Sequence, residues 1–176
     1  NRRAERDQPK DPTDVNMAIH KRHKGLAGKT NPTCWGLGNR RRPRNRRAIQ
    51  VLTDLVRKKG PTILFLMETK LIVNEMKSVQ TELDFSSMLC VPSVRRSGGL
   101  ALLWKNKVVV NTQTYSPNHI DVVITSPLQA LWLLAGVYGH PKERLKSETW
   151  RLMRHLKAQV ALPWLCLGDF NKIVCS

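Results

Sequence analysis

Four residues in this sequence could do chemistry, and each stands where an apolar run stops. Glu68 follows TILFLM (62–67), Tyr138 follows LWLLAGV (131–137), and Asp169 and Asn171 follow WLCLG (164–168). A strand packed on both faces excludes charge from its middle, so acids gather where strands emerge. Alternation along a strand puts Asp169 and Asn171, two apart, on the same side. A glutamate, an aspartate, an amide and a phenol that converge offer only oxygen donors, which suits a hard divalent cation such as Mg²⁺. A cation so held neutralises phosphate charge and activates a water. Taken singly, each acid better suits a helix cap or a turn, so metal chemistry requires the three strand ends to meet in space.

The elements that must bring them together are legible from periodicity. Ala48, Leu52, Leu55 and Val56 recur on one face of a helix that Asn45 would cap. Arg57, Lys58 and Lys59 suit its negative end, and Gly60-Pro61 stops it. The run 62–67 is then a strand, and Ile72, Met76, Val79 and Leu83 mark a second helix. LALLW (100–104) reads as a strand. KVVVNTQTY (107–115) and HIDVVIT (119–125), joined through Ser116-Pro117-Asn118, alternate like partly exposed antiparallel strands. The runs 131–137 and 164–168 read as strands buried on both sides. Between them Leu145, Leu152, Met153, Leu156 and Val160 fall in phase on a third helix, which Pro163 breaks. This order implies helices layered outside sheets, an α/β sandwich.

Composition narrows the partners. The 176 residues carry 30 Lys and Arg against 13 Asp and Glu, a net charge of +17. Such a surplus points to polyanions. It is uneven, with 17 of the basic residues and 5 of the acids in residues 1–60. Residues 1–33 read as a basic, disordered arm too poor in large apolar groups to offset its ordering entropy, and 34–176 as the folded domain. Arg40, Arg41, Arg42, Arg44, Arg46 and Arg47 place six arginines in eight positions. Such a run suits a solvated loop, a phosphate-contacting loop or a nuclear-import signal. The four cysteines form no CxxC pair and no signal-peptide pattern is present, which implies reduced thiols and a nuclear or cytoplasmic rather than secreted protein. No apolar run approaches the roughly 20 residues of a membrane span. No stable protein partner is inferable.

Five motifs occur in one order: METK (67–70), RSGGLALLW (96–104), NHIDV (118–122), VYGHP (137–141) and PWLCLGDFN (163–171). As a set they resemble the endonuclease/exonuclease/phosphatase superfamily. Within it they are most similar to the apurinic-endonuclease-like domain that opens plant non-LTR retrotransposon polyproteins. The resemblance runs from about Cys34 to Ser176. It implies two packed sheets flanked by helices and divalent-metal-dependent cleavage of phosphodiesters, with Mg²⁺ or Mn²⁺ as cofactor and DNA or RNA held through phosphates. By that likeness Glu68 binds the metal, Tyr138 lies beside the scissile phosphate, Asp169 orients or deprotonates the attacking water, and Asn171 contacts the phosphate. Two departures accompany it. Where family members carry a Ser-Trp-Asn-Cys-Arg-Gly-Leu-Gly-like segment, this chain reads NPTCWGLGN, with Thr33 for the asparagine and Trp35 for the arginine. The family's Ser-Asp-His-like segment, with its catalytic histidine, has no counterpart before Ser176. His119 and His140 read as structural.

The chain is therefore expected to be the N-terminal portion of the family fold, a truncated and catalytically impaired fragment with weak metal binding. The alternative is a non-catalytic basic nucleic-acid-binding protein in which the arm does the work. A phosphatase acting on small phosphoesters ranks below both, because the motif set is retroelement-like.

Overall fold

The computed structural model describes residues 17–21, 46–93 and 98–171. Two four-stranded sheets face each other across an apolar core. In the first, β1 (Met17–Lys21), β2 (Ile63–Met67), β4 (Leu100–Trp104) and β3 (Ser87–Val91) lie in that spatial order. There β1 runs parallel to β2, and the other pairs are antiparallel. The second follows chain order: β5 (Val109–Ser116), β6 (His119–Thr125), β7 (Leu131–Tyr138) and β8 (Trp164–Asp169). Its first two pairs are antiparallel and β7–β8 is parallel. A parallel pair needs a crossover, which here is a short 3₁₀ turn (Glu143–Leu145) and α3 (Lys146–Gln159). Helices α1 (Arg46–Lys59) and α2 (Val73–Glu82) cover the outside of the first sheet. Among the described residues no helix is long and apolar enough to cross a membrane.

The unbroken apolarity of β2 follows from its place. Ile63, Phe65 and Met67 point between the sheets, while Leu64 and Leu66 pack under Leu52, Val56, Met76 and Val79 of the two helices. Strand β4, its neighbour, divides in the same way, with Leu100 and Leu102 inward and Ala101 and Leu103 outward. Ile120, Val122, Ile124, Leu134 and Leu167 supply the facing half of the core. Gly136 sits opposite Phe65 so closely that a Cβ would fall within the ring. The Phe65 ring therefore fills the space that a side chain would need one inward position before Tyr138.

The structure corrects the sequence reading in four places. Met17–Lys21, inside the stretch expected to be a disordered arm, forms β1 against the edge of β2. The charge of residues 1–30 masks Met17-Ala18-Ile19, and the edge of β2 supplies the backbone partners that a lone segment lacks. The rest of 1–33 lies outside the described residues, as do Cys34 and the capping role expected of Asn45. Strand β3, unanticipated, pairs with β4. Its mixed SMLCV reads weakly because Val91 alone is fully buried there. HIDVVIT, expected to be partly exposed, is buried from His119 to Val122 because β6 lies between β5 and β7. Conversely β8, expected to be buried on both sides, buries Leu167 alone and leaves Leu165 39% exposed. It is last in the sheet order, so among the described residues its outer edge has no strand beside it.

Candidate active site

Each of the five motifs is clipped to another by backbone or amide hydrogen bonds, and the four chemical residues stand at the clips. Glu68, the first residue after β2, is 9% exposed and holds a left-handed conformation with φ 52°. A glutamate in that region is strained by about 1 kcal/mol, so neighbours must fix it. They do so directly, because Thr69 and Lys70 donate their N–H groups to the carbonyls of Gly99 and Gly98, both at 3.1 Å. Gly99, at φ 90°, has no room for a side chain, since a Cβ would strike the Thr69 hydroxyl. METK and SGG are thus two halves of one joint.

Tyr138 is held from the other sheet. Its N–H donates to the Asn118 carbonyl at 2.8 Å, and the Asn118 side-chain amide donates to the Tyr138 carbonyl at 3.1 Å. Gly139 donates its N–H to the Asp169 carbonyl at 2.7 Å and accepts from the Asn171 amide at 2.6 Å. A Cβ at Gly139 would run into the backbone of Phe170. Asn171 turns through φ 50° and donates its own N–H to Asp169 Oδ1 at 2.9 Å. The small residue in VYGHP is what lets GDFN approach.

These joints bring the four residues into one constellation at the end of the sandwich. The Tyr138 hydroxyl donates across the gap between the sheets to Glu68 Oε1. On its own sheet Tyr138 is the register partner of Asp169. Burial, the hydrogen bond and charge of Glu68, and the charge of Asp169 push the phenol up to about 12, with Asn171 pulling the other way. Tyr138 therefore keeps its proton at neutral pH and acts as a donor, not as a base. Glu68 and Asp169 come from different sheets, not from the neighbouring strands of one sheet, and Tyr138 is the residue between them.

Two carboxylates with an amide and a phenol form an all-oxygen set of the kind that holds Mg²⁺, which usually takes one or two carboxylates and completes its shell with water. Among the described residues no group of three or more His, Cys, Asp or Glu gathers as a metal site of any kind, so a cation here would rest on the two carboxylates with the phenol, the amide and water. The arginines stand apart. Arg40, Arg41, Arg42 and Arg44 lie outside the described residues, Arg46 begins α1, and Arg47 is exposed in its first turn. Sequence reasoning missed Asn118 as a holder of Tyr138, although NHIDV had flagged it. It also missed Asp121, a carboxylate only 2% exposed whose Oδ1 has no hydrogen-bond partner.

Acid, phenol and amide thus collect at the strand ends of a two-sheet α/β sandwich. Residues 25–174 match the model of the Endonuclease/Exonuclease/phosphatase family, and the chain belongs to that family. Among solved structures it is similar to a humanized D. rerio TDP2 carrying 14 mutations, with 13% identity, 72% of this chain and 59% of that one covered, and a TM-score of 0.58. An AP endonuclease from Archaeoglobus fulgidus matches at 15% identity, covering 72% and 53% of the two chains with a TM-score of 0.53. The AP endonuclease LMAP from Leishmania major matches at 17%, with coverages of 70% and 50% and a TM-score of 0.51. The chain thus spans between half and three-fifths of the length of these structures. No curated protein matches it.

Proposed function

We propose that this domain is a divalent-metal-dependent phosphodiesterase acting on nucleic acid, derived from a retroelement endonuclease and weakly active as the 176-residue chain. The observation that carries the reading is the Tyr138 hydroxyl reaching Glu68 from one sheet while standing in register with Asp169 on its own. A bound Mg²⁺ or Mn²⁺ would be held by Glu68 and would supply charge neutralisation at the phosphate. Tyr138, kept protonated, has its one proton on Glu68 here and would turn it to the scissile phosphate once Glu68 is engaged by the cation. Asp169 orients the attacking water and takes its proton, and the Asn171 amide steadies a phosphate oxygen. Catalysis of this kind is positioning plus charge stabilisation, where one donor is worth on the order of 10²–10³ in rate. Thr33 stands where the family carries an asparagine, and that departure is the basis for expecting slow turnover.

The test is conversion of supercoiled plasmid to nicked circles by the purified chain with Mg²⁺. Slow nicking that stops on adding chelator and is lost in Glu68→Ala and Asp169→Ala supports the reading. Nicking that survives both substitutions sinks it. The net charge of +17 favours a second reading, a non-catalytic nucleic-acid-binding protein. Tight, chelator-insensitive binding with no nicking at any metal concentration would decide for it.

A further inference from the structure

We infer that the exposed face of α3 and the groove between α3 and the β5–β6 hairpin seat the phosphodiester backbone flanking the bond held at Tyr138. This rests on the nucleic-acid reading above and gives it a surface. Residues 142–157 carry six Lys and Arg against two acids, Glu143 and Glu148. Helix α3 turns Thr149 and Leu156 inward against the second sheet, with Leu152 and Met153 partly covered. That orientation leaves Arg151, Arg154, His155 and Lys157 on the outside. Lys146 is engaged by Glu143, and the Lys157 ammonium lies 5.7 Å from the centre of the Trp164 ring. Among the described residues neither Arg151 nor Arg154 has an ion-pair partner. Two guanidiniums are thus left for an anion, in the fork geometry that phosphate oxygens accept.

The groove beside them has a volume of about 460 Å³, within the range of about 300–1,000 Å³ usual for ligand pockets. Arg151 and His155 form one wall, and Ser116, Asn118, His119 and His140 form much of the rest. His119 is already held, with Ser116 Oγ at 2.8 Å from one ring nitrogen and Thr114 Oγ1 at 3.0 Å from the other. It therefore shapes the wall rather than binding. Glu148 is the acid on the rim, one turn from Arg151. Tyr138 belongs both to this groove and to the Glu68 contact. The two places are back to back at one end of the second sheet, so a backbone leaving the site crosses only that sheet end to meet Arg151 and then Arg154. This continuity selects a nucleic acid over other polyanions.

The experiment is binding of a short fluorescent DNA duplex to the full chain, in chelator so that no cleavage enters, across a salt series. Each phosphate neutralised on duplex DNA contributes about −0.9 to the log–log slope. Arg151→Ala with Arg154→Ala should therefore flatten the slope by about 1.8 and weaken binding most at low salt. Arg151→Lys with Arg154→Lys should keep most of the slope. Arg57→Ala with Lys58→Ala, equally exposed at the end of α1, should leave it unchanged. Equal losses in the α1 and α3 variants would mean that only net charge matters and would overturn the assignment. So would an unchanged slope in the α3 variant, or an α3-dependent affinity seen with phosphatidylserine vesicles but not with DNA. A chain that binds through α3 yet never nicks plasmid would leave this inference standing and remove the phosphodiesterase reading.

Discussion

The two sheets solve the same problem by different means. The first is apolar on both faces: β2 is buried throughout, β4 is buried except at Trp104, and helices close the outer side. The second shares the inner core, but its outer face carries His119, Asp121 and Thr114, and only part of it is covered by α3. Its last strand is half exposed. Glu68 therefore stands on the well-buried sheet, and Tyr138, Asp169 and Asn171 on the more polar one. The proposed phosphoester site would draw on both, an apolar sheet giving a fixed point of attachment and a polar one supplying donors and charge. The contrast teaches that this site's rigidity is borrowed mainly from β2 and β4.

If that is so, the largest effect should come from hollowing the first sheet. Leu102, fully buried at the centre of β4, is expected on substitution by alanine to cost about 2–5 kcal/mol, read as a shift in the urea midpoint. A loss below 1 kcal/mol would mean that the first sheet is not the anchor.

The next effect belongs to the second sheet and depends on pH. Burial raises the Asp121 carboxyl from its ordinary 3.8 to about 6. A group whose folded pKa is raised gives stability that is fully present below the unfolded value and is lost as pH rises through the folded one. Asp121 should thus cost stability on the order of 2 kcal/mol between pH 4 and 6, with the loss complete above 6. His119 opposes it: burial lowers its pKa from the ordinary 6.5, so its contribution is present above 6.5 and is lost as pH falls. The difference between wild type and Asp121→Asn, measured by urea unfolding at each pH, removes the histidine term and should fall from pH 4 to 6. A difference flat with pH would show that Asp121 is not desolvated in solution.

A smaller effect should appear at the bridge between the sheets. Tyr138→Phe removes the hydroxyl that donates to Glu68 and is expected to lower stability by about 1–2 kcal/mol, measured by thermal melting. If Glu68→Gln and Tyr138→Phe add without coupling in a double-mutant cycle, the bridge contributes nothing.

The smallest should be at the exposed edge. Leu165→Ala, on β8 at 39% exposure, should stay within about 0.5–1 kcal/mol of wild type. A cost like that of Leu102→Ala would erase the distinction between the two sheets.

The sequence by itself determined most of the elements and showed four polar residues at the ends of apolar strands. Apolar runs of strand length, helical periodicity and the breakers Gly60-Pro61 and Pro163 are local signals, and local chemistry is what a chain displays along its length. Glu68, Tyr138, Asp169 and Asn171 were visible because charge and polar groups are forced to the ends of buried strands. Only the tertiary structure decided what depends on a neighbour from elsewhere in the chain. Strand β1 exists because the edge of β2 is there to pair with it, and the short apolar run Met17-Ala18-Ile19 is lost among charged neighbours until that edge is known. WLCLG looks like a central strand, yet burial is set by what lies on each side, and β8 has a partner strand on one edge alone among the described residues. Asp121 lies in a motif, but its isolation comes from neighbours on β5, β7 and β8 that no local pattern places there. The joining of Glu68 to Asp169 through Tyr138, across two sheets and 101 positions of sequence, is a long-range contact, and contacts of that kind are fixed by packing rather than by residue order.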